Sequence, residues 1–238
     1  MSVRSLVKRL VPAKVIKWRK AILSVRPLHK RNCPICGYTG FFGFFGRPPR
    51  LDARCPRCFS LERHRLFWVW LSGNDHKLTE PILHFAPERI LEKKLRGMYK
   101  DYRTADLFSS ADLNLNIEKI DLPDKSISTV ICNHVLEHVN DVVALREVKR
   151  VLKDDGVFVV SVPIVEGWDR SYENEAIIDP ALRELHFGQS DHVRFYGKDF
   201  RDRLRIGGFL FDEITAEAED VVRYGLVRGE KFFVCHKR

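Results

Sequence analysis

The chain has 238 residues, 45% hydrophobic and 31% charged, which suits a medium domain with a small module and excludes a disordered chain. Its net charge of +9 is uneven: residues 1–31 hold ten Lys and Arg and no acid, leaving 31 basic against 32 acidic residues elsewhere. A nearly neutral body argues against a large nucleic-acid footprint, and no apolar run approaches the roughly 20 residues that span a bilayer.

The basic arm carries Leu6, Val7, Leu10, Val11, Val15, Trp18 and Ile22 at roughly helical spacing, broken at Pro12. Two expectations follow. It is an amphipathic segment on an anionic membrane surface or an acidic partner, or a solvated extension whose apolar residues cover the body. Basic residues interrupt every candidate apolar stretch, so it does not read as a cleavable signal. Nucleic acid stays open as a partner of the arm but is not favoured. Four of the six cysteines are tightly spaced and the other two, Cys132 and Cys235, are far apart. That usage points to a reducing compartment, so the expected location is cytoplasmic, peripheral at the membrane if the arm binds lipid.

Residues 32–60 form the cysteine module. Cys33 and Cys36, then Cys55 and Cys58, make two C-x2-C knuckles separated by eighteen residues. Two such knuckles place four thiolates at tetrahedral corners, the geometry of zinc with soft ligands; an iron–sulfur centre or redox dithiols are the alternatives. Four thiolates leave no open position, so the predicted zinc is structural and folds a segment with little core of its own. A connecting segment, 61–80, follows. Ser60 is placed to cap a helix bearing Leu61, Phe67, Trp68 and Leu71 on its apolar face. Arg63, His64 and Arg65 lie early in it, on a solvated face or against a substrate anion.

From residue 81 to 238, strands alternate with helices. Strands are expected at PILHFAPE, YRTADL, LNLNI (113–117), ISTVICNH (127–134), VFVVSVPI, FLFDEIT and KFFVCHKR. Helices are expected over 88–97, 139–152 and 198–206, with Asp154 to Gly156 turning into the fifth strand. This alternation predicts a mostly parallel α/β sheet with helices on both faces. Ligands then sit at the carboxyl ends of the strands, here His84–Glu88, Asp106, Asn116 and Asn133–His134. Asp106, ending the second strand, is placed to accept hydrogen bonds from two ribose hydroxyls.

The segment ICNHVLEHVNDVVALREVKRVLKDDGVFVVSVPI resembles the part of class I S-adenosylmethionine-dependent methyltransferases that follows their fourth strand. The spacing from ADL through DLPDKSIS to CNHVLEH resembles them too. The HFAPE turn, the upstream knuckles and the downstream FGQSDHVRFYG are similar to zinc-ribbon members of that group. The resemblance implies a Rossmann-like methyltransferase sheet, S-adenosylmethionine as cofactor, and a structural zinc. His84, Ala86, Glu88, Asp106, Asn116, Asn133 and His134 would then contact the cofactor. The sequence departs from the family in three places. HFAPE replaces a glycine-rich first turn, Asn116 stands where an Asp usually meets adenine, and Ser128 stands where an Asp is usual.

Residues 165–197 read as a substrate lid carrying Asp191, His192, Arg194 and Tyr196 as acceptor contacts. Arg194 either grips an anionic acceptor or pairs with Asp191. His134 and His192 are the candidate proton acceptors. Glu137 and His138 read as structural. The expected activity is methyl transfer to a small molecule, glycan or lipid-linked sugar. Two readings compete with it: a non-catalytic Rossmann and zinc-ribbon binding protein with an eroded cofactor site, and a nucleotide or nucleotide-sugar enzyme of another class.

Overall fold

The computed structural model describes residues 29–238 apart from 47, 74–77 and 109; most of the basic arm, 1–28, lies outside the described residues. Two compact units are present. One comprises residues 29–65 and 217–228, the other 66–216 and 229–238. The first therefore takes in a segment, 217–228, that the sequence reading places with the α/β domain.

In the first unit, β1 (Lys30–Asn32) pairs antiparallel with β2 (Thr39–Phe41), and β3 (Gly43–Phe45) with β4 (Arg50–Arg54). Arg31, assigned by sequence to the arm, is part of β1 and pairs with Asp52 at 2.9 Å. Helix α1 (Glu62–Ser72) begins in this unit, and the helix Ala218–Tyr224 belongs to it. Arg65 is its hub. Expected on a solvated face or at a substrate, it is wholly buried. Its guanidinium donates to the carbonyls of Ser60 (2.7 Å), Tyr224 (2.8 Å), Gly225 (2.7 Å) and Ala53 (3.0 Å), and lies 4.7 Å from the Phe42 ring centroid. A buried cation is tolerable because so many of its donors are satisfied. Gly225 ends the Ala218–Tyr224 helix at φ 63°, and a Cβ there would meet the Asp52 carbonyl at 3.1 Å, so both conformation and space require glycine.

The second unit is built on one sheet. Its strands are β5 (Ile82–Phe85), β6 (Tyr102–Asp106), β7 (Leu113–Asn114), β8 (Ile127–Asn133), β9 (Leu152–Ser161), β12 (Phe209–Thr215) and β13 (Lys231–Lys237). A small antiparallel pair, β10 (Tyr172–Glu173) and β11 (Arg194–Phe195), stands apart from it. The sheet order is β7-β6-β5-β8-β9-β13-β12, with only β13 antiparallel to its neighbours. β5 and β8 are buried at every position, as parallel strands covered on both faces must be. Helix α2 (Arg89–Arg96) links β5 to β6, and α3 (Asp141–Val151) links β8 to β9. Right-handed crossovers running in opposite directions from the sheet centre put these helices on opposite faces. Leu145, Val148 and Val151 of α3 join Val130, Phe158, Phe209 and Phe233 in the main core, with Phe200 and Leu204 of α5 (Phe200–Ile206).

The third expected strand is shorter than read: β7 stops at Asn114, because Asn116 folds into a turn whose side-chain oxygen accepts the Glu118 N–H at 2.9 Å. β9 starts earlier than expected, at Leu152, and takes in Asp154–Gly156; pairing jumps from Ile127–Leu152 to Thr129–Val157. The expected lid contains a helix not anticipated, α4 (Pro180–Phe187), capped by the Asp179 side chain. Among the described residues, no helix is long and apolar enough to cross a membrane.

Candidate functional site

The strand order fixes where a ligand can go. From β5 the chain proceeds outward through β6 to β7, then returns across β5 to β8. The reversal opens a crevice at the carboxyl ends of β5 and β8. Register aligns the residues there. Phe85 pairs with Ala105 on one side and Cys132 on the other, so Ala86, Asp106 and Asn133 follow level with one another. A charged depression at the amino edge, lined by Lys125, Arg146, Lys149 and Arg150, is internally paired through Lys125–Asp154 and Arg150–Asp124, each at 2.7 Å. It lies at the wrong end of a parallel sheet for a nucleotide.

The turn after β5 does without glycine by straining an alanine. Ala86 has φ 45°, in the left-handed region, and its N–H donates to the Ala105 carbonyl at 2.9 Å. Left-handed backbone costs an L-residue roughly 1–2 kcal/mol, so the turn keeps the conformation for which glycine is usual. Pro87 and Glu88 then lead into α2, with Glu88 extended at its N-cap position. His84 is wholly buried beneath the turn. Its Nδ1 is 2.8 Å from the Tyr102 hydroxyl and its Nε2 is 3.5 Å from Glu88 Oε2. His84 thus reaches the site through Glu88 rather than by lining it. Burial pushes the Tyr102 phenol well above its usual pKa, so it stays neutral.

Asp106 ends β6 with its Oδ1 accepting the Phe108 N–H at 2.7 Å. Asn133 accepts from the Ser161 hydroxyl at 2.9 Å. His134 follows at φ 54°, its Nδ1 3.2 Å from Glu137 Oε1. The 3-10 turn Leu136–His138 comes next. Against it lies the 191–193 segment, held by the Val193 N–H on the Glu137 carbonyl at 2.9 Å. His134, Glu137, His138, Asp191 and His192 are thereby brought together. Burial lowers the His192 pKa below its usual value, with the nearby Glu137 opposing, so that ring is neutral at pH 7.

Arg194 and Tyr196 have a different task from the acceptor contacts expected of them. Arg194 pairs with Glu173 at 2.8 Å, not with Asp191, and donates to the carbonyls of Leu136 (2.8 Å) and Val139 (2.6 Å). Tyr196 is wholly buried and donates to the Leu136 carbonyl and to Asp141, both at 3.0 Å. Both residues hold the 136–141 turn in place. Asp191, in contrast, is exposed and pairs with His138 at 3.2 Å.

The cysteines meet as their spacing predicts. Cys33 and Cys58 sulfurs are 3.5 Å apart, Cys36 and Cys55 sulfurs 3.7 Å, and all four lie within 4.8 Å of one another. Sulfurs around a tetrahedral zinc with ~2.3 Å bonds stand about 3.8 Å apart, so the cluster fits that ion. The two knuckles repeat one geometry. Gly37 and Phe59 both have positive φ, at 71° and 59°, and their N–H groups donate to the carbonyls of Cys33 and Cys55, each at 2.9 Å. Ser60, expected to cap α1, instead turns its hydroxyl to Cys58 (3.2 Å) and Cys33 (3.5 Å). The Leu61 N–H is taken by His64 Nδ1 at 3.2 Å.

A family model described as a methyltransferase domain matches residues 94–160, from α2 through the end of β9. The seven-stranded sheet with helices on both faces is a Rossmann-like α/β fold. No curated protein matches this chain. Among solved structures the chain is similar to an S-adenosylmethionine-dependent methyltransferase from Mesorhizobium loti at 15% identity, over 73% of this chain and 98% of that one, with a TM-score of 0.46. It is also similar to such an enzyme from Archaeoglobus fulgidus at 11% identity, over 74% and 92%, with a TM-score of 0.47. A third is the Burkholderia thailandensis 1,6-didemethyltoxoflavin-N1-methyltransferase, with S-adenosylhomocysteine bound, at 15% identity, over 65% and 68%, with a TM-score of 0.40.

Proposed function

We propose that the chain is an S-adenosylmethionine-dependent methyltransferase whose cysteine cluster holds a structural zinc. The observation that carries the reading is the level placement of the left-handed Ala86 turn and Asp106 across neighbouring strands. That juxtaposition offers a close backbone approach beside a carboxylate able to take two ribose hydroxyls. The match to a methyltransferase domain over 94–160 supports it independently.

Bound here, S-adenosylmethionine supplies an electrophilic methyl on a sulfonium. Asp106 accepts the ribose hydroxyls. Asn116, whose side-chain oxygen already accepts the Glu118 N–H, would meet the adenine edge through its amide NH2. Glu88, braced by His84, stands at the first turn for the cofactor's ammonium, and Asn133 lines the crevice between β5 and β8. His134, whose Nδ1 lies 3.2 Å from Glu137 Oε1, would accept the acceptor's proton. Asp191 marks the acceptor side. Alignment of nucleophile and methyl supplies most of the acceleration in such a transfer. Zinc bound by Cys33, Cys36, Cys55 and Cys58 folds the first unit. A neutral body favours a small molecule, glycan or lipid-linked sugar over nucleic acid as acceptor, and the positive charge of residues 1–31 suits an anionic membrane surface or an acidic partner.

The test is transfer of label from methyl-labelled cofactor into fractionated small molecules, glycans, lipid-linked sugars and nucleic acid. Incorporation that depends on His134 and Asp106 supports the reading. Absence of incorporation from every fraction, with cofactor bound, favours the non-catalytic alternative.

A further inference from the structure

We propose that Glu137, His138 and His192 form a second metal site, for a divalent first-row transition ion held by two imidazoles and one carboxylate. One ligand atom from each lies within 4.8 Å of the others. Ligand atoms around such an ion, at ~2.0–2.2 Å from it, stand roughly 3.3 Å apart, so side-chain closure of at most about 1.5 Å completes the shell.

Unsatisfied buried groups point to a cation. Glu137 is wholly buried, and neither of its carboxylate oxygens has a hydrogen-bond partner. The 3.2 Å approach of His134 Nδ1 is within ion-pair distance but does not have hydrogen-bond geometry. His192 Nε2 is buried without a partner as well. A buried carboxylate left so is costly, and each buried polar atom without a partner adds to that cost. One cation between them satisfies both.

The surroundings are those of ligating imidazoles. His192 Nδ1 is 3.1 Å from the Phe187 carbonyl, which fixes the proton there and leaves the lone pair on Nε2. His138 Nδ1 is 3.2 Å from Asp191 Oδ2, within ion-pair distance. Carbonyl and carboxylate partners of this kind orient metal-bound histidines and select their tautomer. The two rings are 4.5 Å apart and nearly perpendicular, at 87°, so they do not stack. The scaffold is rigid: the Val193 N–H on the Glu137 carbonyl and Arg194 on the Leu136 carbonyl lock the two contributing segments together. Two nitrogens and one oxygen suit zinc, cobalt or ferrous ions and leave positions open for an oxygen ligand. The site stands on these residues independently of the methyl-transfer reading.

Co2+ titration of the full-length chain, with the four-cysteine site filled by zinc, tests it. The expected result is one further equivalent bound, with visible bands of nitrogen and oxygen ligation and no thiolate charge-transfer band. Glu137→Gln and His192→Gln should each abolish that equivalent while the cysteine-bound zinc remains. Two results overturn the proposal: a wild-type chain that gives no such bands, which needs no variant to interpret, or bands that survive in both folded variants.

Discussion

Ala86 and Asp106 stand side by side at the carboxyl edge of the sheet because Phe85 pairs with Ala105 one residue earlier. The Ala86 N–H donates back to the Ala105 carbonyl at 2.9 Å, closing the turn over the end of β6. A strained turn and an acid are thereby held in fixed relation by sheet register rather than by loop chemistry.

The strain at Ala86 is measurable. A β-branched side chain is least tolerated at positive φ. Ala86→Val should lower stability by about 2 kcal/mol, whereas Ala86→Gly should change it by less than about 1 kcal/mol, because relief of strain is offset by the flexibility glycine adds to the unfolded chain. Urea unfolding of the two variants checks this. Equal stability of both would contradict a left-handed Ala86.

Tyr102 and His84 make a buried bond 2.8 Å long beneath the same turn. Tyr102→Phe removes the hydroxyl and leaves a buried imidazole nitrogen unpaired, a loss of roughly 1–3 kcal/mol. Because His84 also reaches Glu88 at 3.5 Å, cofactor affinity should fall with stability. A variant as stable as the wild type would show that the bond contributes nothing.

Glu147 ties α3 to the segment that precedes β8. Its carboxylate accepts from Arg150 at 2.8 and 3.0 Å and from the Ile120 N–H at 2.9 Å. The Arg150 guanidinium holds its pKa below the usual 4.5. A depressed folded value means that the contribution is present above about pH 4.5 and is lost as pH falls through the folded value. Glu147→Gln should lower the thermal midpoint at pH 7 and flatten its decline in acid. Parallel curves for variant and wild type would rule out this linkage.

The four-cysteine cluster and Arg65 belong to the same unit. Structural zinc contributes on the order of 10 kcal/mol to domains of this kind. Cys55→Ser should therefore release the metal and expose the 29–65 segment to proteolysis while the sheet of the second unit survives. Arg65→Leu should have a similar effect with all four cysteines intact, because it strips the donors from four carbonyls. A metal assay alongside limited proteolysis separates the two.

Much of this was legible in the sequence. Strand and helix alternation placed β5, β8, α3 and β13, and C-x2-C spacing brought the four sulfurs together, because periodicity and knuckle spacing are local properties. Long-range pairing was not legible. Nothing near Arg65 in sequence announces that it will be buried beneath Gly225, and Arg63 and His64 beside it suggested a polar face. Arg194 and Tyr196 looked like acceptor contacts because they neighbour His192; the carbonyls of Leu136 and Val139 that claim Arg194 are more than fifty residues away. Glu137 and His138 read as structural because the signal that singles them out, a buried carboxylate facing His192, exists only once the 191–193 segment docks.

Cofactor binding tests the central claim most directly. Calorimetry of the full-length chain with S-adenosylmethionine and S-adenosylhomocysteine should show saturable binding of both. Asp106→Ala should weaken it by about tenfold to a hundredfold, the range for loss of hydrogen bonds to a charged group. No binding at millimolar cofactor, or affinity unchanged in Asp106→Ala, would contradict the assignment of this edge of the sheet.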